Sequence, residues 1–213
     1  MRPDHIAELI IDDPQEVRHF LEAMDLSVDS VLLIRDAAHI HLVDTSPLMA
    51  LNAAGTLAYH YGVLETRIQF LGKNWEITRA GGIEAIFNPA KNIKLGYQNV
   101  DVACVRGTDP QPRTEKGAGA ERECAGNLFE YFNVAAPKLV VPPKGMVQVF
   151  YVMVDERGAV EVSRPVIEAG SFTGMIVRAF VSDGSDLDKV AITPAGGLDA
   201  PADNFDVPVI RRQ

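Results

Sequence analysis

The 213 residues are 47% hydrophobic and 23% charged, which excludes wholesale disorder and supports one buried core of ordinary size. No apolar run approaches the roughly 20 residues that span a bilayer, and the acidic start MRPDHIAELIIDDPQE has neither the basic region nor the long apolar stretch of a secretion signal. The net charge of −9 is uneven: residues 1–46 hold ten carboxylates against three cations, 47–182 thirteen against fourteen and 183–213 six against three. Acidic ends of this kind repel a phosphate backbone and argue against nucleic acid as a partner.

The first expected element is a short helical turn over 3–10. A firmer helix follows in DDPQEVRHFLEAMD, where Asp13 suits the N-cap, Pro14 the first helical position and Glu16 the returning acid of a capping box. Val17, Phe20, Leu21 and Met24 then share one apolar face. Residues 28–44 admit two readings, a pair of strands or a helix with Val31, Ile34, Ala38 and His41 on one face. Helix is favoured, because no Gly or Asn supplies a tight hairpin turn.

HIHLVD, residues 39–44, poses the metal question. On a helix His39 and His41 diverge by about 200° and cannot share an ion. His5, His19 and His60 add no recognisable spacing, so no metal is expected.

A second long helix is expected to open at Ser46-Pro47 and stop at Gly72. Gly55 and Gly62 inside it each cost about 1 kcal/mol relative to Ala, unless they mark close packing. Beyond it, 75–79 and 83–87 read as strands joined across Ala80-Gly81-Gly82. In the strand starting at Ile93, apolar residues move from odd to even positions, which predicts a bulge or bend near Gln98–Asn99. Residues 106–126 form a long Gly-, Pro- and charge-rich loop. From 146 to 182 three strands make an antiparallel meander, and VFYVMV, apolar on both parities, is expected to be covered on two faces. Residues 189–213 read as an irregular surface tail.

Chemistry-bearing motifs are sparse. KGAGAER lacks the phosphate-binding G-x-x-x-x-G-K-[ST] spacing, and no G-x-S-x-G elbow occurs. Glu84 with Asn92-Ile93-Lys94 resembles a metal-dependent nuclease site, but an amide stands where the second carboxylate should be. The Asp183–Asp188 stretch has its glycine in the wrong place for a calcium loop. Cys104 reads as inert core on an apolar strand, and Glu123 beside Cys124 suppresses that thiolate. With two cysteines no disulfide framework is indicated, reduced cytoplasmic thiols are the default, and no cofactor is expected.

WEITRAGGIEAIFNPAKNIKLGYQNVD and VQVFYVMVDERGAVEVSRPVIEAGSFTGMIVRAFV together make residues 50–182 resemble a loose group of proteins encoded on bacterial plasmids and phages. The resemblance implies a helix, a tryptophan-led hairpin, a polar loop and a C-terminal meander. It also implies a mobile-element setting, in which small acidic proteins bind host or defence proteins.

The reading is therefore a single α+β domain, mainly helical over 1–72 and mainly β over 73–182, with the N-terminal helices packed on a mainly antiparallel sheet. The expected function is that of a non-enzymatic, cytoplasmic interaction protein with a protein partner and no membrane attachment. Asp12, Asp13, Glu16 and Glu22 of the acidic helix, or Arg113, Lys116 and Arg122 of the long loop, would supply the contacts. One rival is a hydrolase or nuclease-like enzyme that gathers several of His39, His41, Glu76, Glu84, Lys94 and Asp101. Another is an assembly protein associating through exposed strand edges.

Overall fold

The computed structural model describes residues 8–72, 74–114, 117–121, 124 and 147–187. In chain order these form β1 (Leu9–Ile11), α1 (Pro14–Ala23), α2 (Val28–Val43), α3 (Ala53–Phe70), β2 (Glu76–Thr78), β3 (Ala85–Asn88), β4 (Ile93–Asn99), β5 (Gln148–Val154), β6 (Val160–Glu168) and β7 (Ser171–Ser182). The class is α+β. The seven strands form one sheet in the order β1-β7-β6-β5-β4-β3-β2. It is mixed: β1 runs parallel to β7 and β4 parallel to β5, while the other neighbours are antiparallel.

Helices α1–α3 lie over one face of this sheet. Val17, Leu21, Val31, Ile34, Ala58 and Phe70 pack there against Leu95, Tyr97, Phe150, Val152 and Val162. Alternation along β5 sends Val149, Tyr151 and Met153 to the opposite face, where Val100, Ala103, Ala120 and Cys124 cover them. VFYVMV is thus buried on both sides, as its double parity predicts.

Several local expectations hold. Asp13 caps α1, its carboxylate accepting from Gln15 N and Glu16 N at 2.9 and 3.0 Å, with Pro14 at the first helical position. Residues 28–43 are helix, capped by Ser27. Gly62 marks a close approach, because a Cβ there would lie 2.4 Å from the Tyr97 ring. The Tyr97 hydroxyl donates to Asn99 Oδ1, and Asn99 Nδ2 donates to Gly55 O, which ties α3 to the sheet.

Others are corrected. Residues 9–11 are a strand, not a helical turn: apolar Leu9 and the β-branched Ile10 and Ile11 pair with the edge of β7, a partner distant in sequence, while residues 3–7 of the expected turn lie outside the described residues. Helix α3 starts at Ala53 rather than Pro47, because Ser46 accepts from Leu48 N and closes a turn instead. No bulge interrupts β4, which runs in register with β5 through Asn99. The change of face arises where the chain leaves the sheet, Val100 bridging to Pro112. Cys104 lies outside the strands in a left-handed conformation, φ 57°. Its thiol donates to the carbonyls of Val160 and Ser182, and burial pushes its pKa up, so it is inert for a different reason than strand placement.

The departing chain is held by a buried ion pair. Arg178 on β7 meets Glu161 on β6 at 2.8–2.9 Å, with both side chains fully buried. Arg178 also donates to the carbonyls of Val105 and Thr108, and Glu161 accepts from Cys104 N and Ser163 Oγ. These extra bonds satisfy groups that would be costly to bury alone. No helix among the described residues is long and apolar enough to cross a membrane.

Candidate interaction surface

Helices α2 and α3 pack side by side and bury Val31, Ile34, Arg35 and Ala38, and Ala58, Gly62, Val63, Thr66 and Phe70. At about 100° per residue the opposite sides carry Leu33, Ile40 and Val43 on α2 and Tyr61, Leu64 and Ile68 on α3. A surface helix ordinarily turns polar residues outward. Here Ile40 is 57% exposed, Val43 63% and Ile68 61%. The loop joining the helices also exposes apolar residues, with Leu48 96% exposed and Met49 and Leu51 exposed as well. The His41 and Tyr61 rings stack with centroids 3.3 Å apart and planes 15° apart, joining the two helices.

The charges around this surface share one sign. Asp29 and Asp44 are exposed, and Asp36 and Glu65 are half-buried. Arg35 is the only Lys or Arg between residues 28 and 66, and both of its carboxylate partners lie within the chain. It is buried, with its guanidinium on Asp186 at 2.7 and 2.8 Å and on Asp36 at 2.7 Å. The hydrogen bonds from Arg35 hold Asp186 down at about 2. Arg67, near the end of α3, pairs with Glu84, the residue before β3.

Of the interaction residues singled out from sequence, Asp12, Asp13, Glu16, Glu22 and Arg113 lie among the described residues. Asp13 is the α1 cap, and Asp12 accepts from Arg106 Nε at 2.9 Å. Glu16 and Glu22 stand exposed on α1 about 120° apart. Arg113 donates to Val100 O and pairs with Glu156, so it pins the loop to the body. Lys116 and Arg122 lie outside the described residues, as does the 189–213 tail.

In the candidate enzymatic set, Glu76 and Lys94 share a cross-strand row, each lying opposite Phe87. Glu84 carries Arg67 and Arg79, and the hydrogen bond from Arg67 holds its pKa down. Lys94 donates to Ala80 O, Asp101 accepts from Val102 N and Gln111 N, and Glu76 is exposed on edge strand β2. His41 is engaged with Tyr61. A small cleft beside α2, lined by Ala38, His39, Tyr97 and Asp155, contains His39 alone of that set. Asp155 at its wall is held by the amides of Ala103, Arg157 and Ala159 and by the Arg157 guanidinium. Among the described residues no three His, Cys, Asp or Glu side chains are placed to hold a metal.

The hairpin surface was legible in one respect. Leu33, Ile40 and Val43 repeat at i, i+7 and i+10 on the side away from Val31, Ile34 and Ala38, with Asp36 at i+3 among them. No protein-family model, no curated protein and no solved structure matches this chain.

Proposed function

We propose that this chain is a non-enzymatic interaction protein that docks a partner protein on the outer face of the α2–α3 hairpin. The observation that carries the reading is the row Leu33, Ile40, Val43, Tyr61, Leu64 and Ile68, apolar and solvent-facing on helices whose other sides already fill the core. Covering such a surface removes apolar area from water at about 25 cal/mol per Å², and contiguous exposed patches of this kind mark interaction sites. The partner is a host or defence protein in the cytoplasm, in keeping with the resemblance to plasmid- and phage-encoded proteins. The acidic helix α1 is secondary in this reading, since Asp12 and Asp13 already have partners within the chain.

The test is affinity capture from the native host with three proteins: wild type, Ile40→Asp/Ile68→Asp and Glu16→Lys/Glu22→Lys. The reading expects a partner that wild type and the α1 variant retain and the hairpin variant loses, with all three equally folded by circular dichroism. Retention by a folded hairpin variant contradicts it.

A further inference from the structure

Resting on that reading, we infer that the partner presents a cationic amphipathic helix, apolar on the side facing Ile40, Leu64 and Ile68 and lined with Lys or Arg on its flanks.

Three observations lead to it. The first is charge. Asp29 and Asp36 fall at the same helical angles as Leu33, Ile40 and Val43, Asp44 closes α2 and Glu65 lies on α3; Asp36 is paired with Arg35, while Arg35 and Arg67 are further tied to Asp186 and Glu84. A ligand with basic residues beside its apolar face gains attraction to these acids, whereas one with acidic residues there is repelled. A second copy of this chain would bring the same acids against itself, and an anionic membrane or a nucleic acid is repelled likewise.

The second is size. Sixteen residues of α2 at 1.5 Å each, beside a neighbour 8–10 Å away, give a face of roughly 24 by 20 Å. Standard interfaces between folded proteins bury about 800 Å² per partner. The hairpin face is smaller and elongated, and it fits one helix lying along the furrow between α2 and α3.

The third is backbone chemistry. Within α2 and α3 the N–H and C=O groups bond along each helix, so this face offers no row of free donors and acceptors to an added strand. A ligand here must satisfy its own backbone, as a helix does. The docked helix would complete a three-helix layer, the apolar face of one element closing the furrow of two others.

The experiment uses the full chain and fluorescently labelled peptides of about 18 residues, roughly 27 Å as a helix. One is a Leu/Lys amphipathic helix, one replaces every Lys with Glu, and one is the Leu/Lys peptide scrambled so that no apolar face forms. Anisotropy titrations are run at low and physiological salt. The Leu/Lys helix is expected to bind at least tenfold more tightly than either control. Ile40→Ser/Ile68→Ser should weaken it at least tenfold. Asp29→Asn/Asp44→Asn should weaken it severalfold and flatten its salt dependence, and Glu16→Gln/Glu22→Gln should leave it unchanged.

Equal binding of the scrambled peptide, or equal weakening by the α1 variant, overturns the inference in favour of non-specific attraction to net charge. A dimer seen by light scattering that Ile40→Ser/Ile68→Ser abolishes makes a second copy the occupant. Binding to phosphatidylserine vesicles that the same variant abolishes makes it a membrane. Each of these also overturns the inference. If the Leu/Lys peptide is not preferred while capture of the native partner still depends on Ile40 and Ile68, only the chemistry assigned to the partner fails. If native capture ignores those residues, the docking reading itself fails.

Discussion

Helix α1 and the α2–α3 hairpin lie on the same side of the same sheet, yet they meet water differently. On α1, Val17 and Leu21 are buried, and Gln15, Glu16, Arg18, His19, Glu22 and Ala23 face out. That helix is finished on both sides, one for the core and one for solvent. On α2 and α3 the inward side is equally well used, but the outward side repeats apolar chemistry at Leu33, Ile40, Leu64 and Ile68. Folding accounts for every feature of α1 and for only half of the hairpin. The residues that folding leaves unexplained are where a binding function is to be sought.

The sharpest way to break this comparison is to truncate side chains on the two sides of one helix. Ile34 on α2 is fully buried, and Ile34→Ala should cost about 2–5 kcal/mol through lost burial and a residual cavity. Ile40→Ala on the same helix should change stability by about 0.5 kcal/mol or less. Urea unfolding of both variants checks the pair, and similar large losses would mean that Ile40 is structural.

The two glycines of α3 sharpen the inner boundary. Gly62→Ala drives a methyl group into the Tyr97 ring and should cost about 1–3 kcal/mol by overpacking. Gly55→Ala meets nothing within 4 Å and should stabilise the protein by about 0.5–1 kcal/mol through helix propensity. Thermal unfolding distinguishes opposite signs directly. On α1, Asp13→Ala removes the two cap bonds and should cost about 1 kcal/mol, with partner binding unchanged.

The smallest expected effect is pH-dependent. Asp186 is held at about 2 by Arg35, below the unfolded value of about 3.9. A depressed carboxyl contributes stability above its unfolded pKa and loses that contribution as pH falls through its folded pKa. The contribution should therefore disappear between about pH 4 and pH 2. Because the Asp186 side chain is 41% exposed, solvent screening limits it to about 1 kcal/mol or less. Asp186→Asn should flatten the stability profile within that window, as followed by urea midpoints.

What could be read from the chain follows the range of the interactions involved. The α1 cap, the helical identity of 28–43 and the two-sided burial of VFYVMV depend on residues within one or two turns of each other, and periodicity reports them. Gly62 announced close packing, though not that Tyr97 was the neighbour. Strand β1 was unreadable because its partner, Val177–Ala179, lies across the whole chain. The parallel pairing of β4 with β5 was hidden for the same reason. The start of α3 is not legible at Ser46-Pro47, which carries the same chemistry whether it opens a helix or closes a turn. The acids of 1–46 form a run in sequence, but Asp12, Asp13 and Asp25 are engaged with Arg106, the α1 amides and Asn88. Charge counted along a sequence does not show which charges remain available in space.

The central claim is that the outer face of α2–α3 is where this protein meets its partner. The most direct measurement is site-specific photocrosslinking in the native host, with the photoreactive residue placed at Leu64 or, separately, at Glu22. The account predicts a covalent adduct to one host protein from position 64 and none from position 22. An adduct from position 22 with none from position 64 would contradict it.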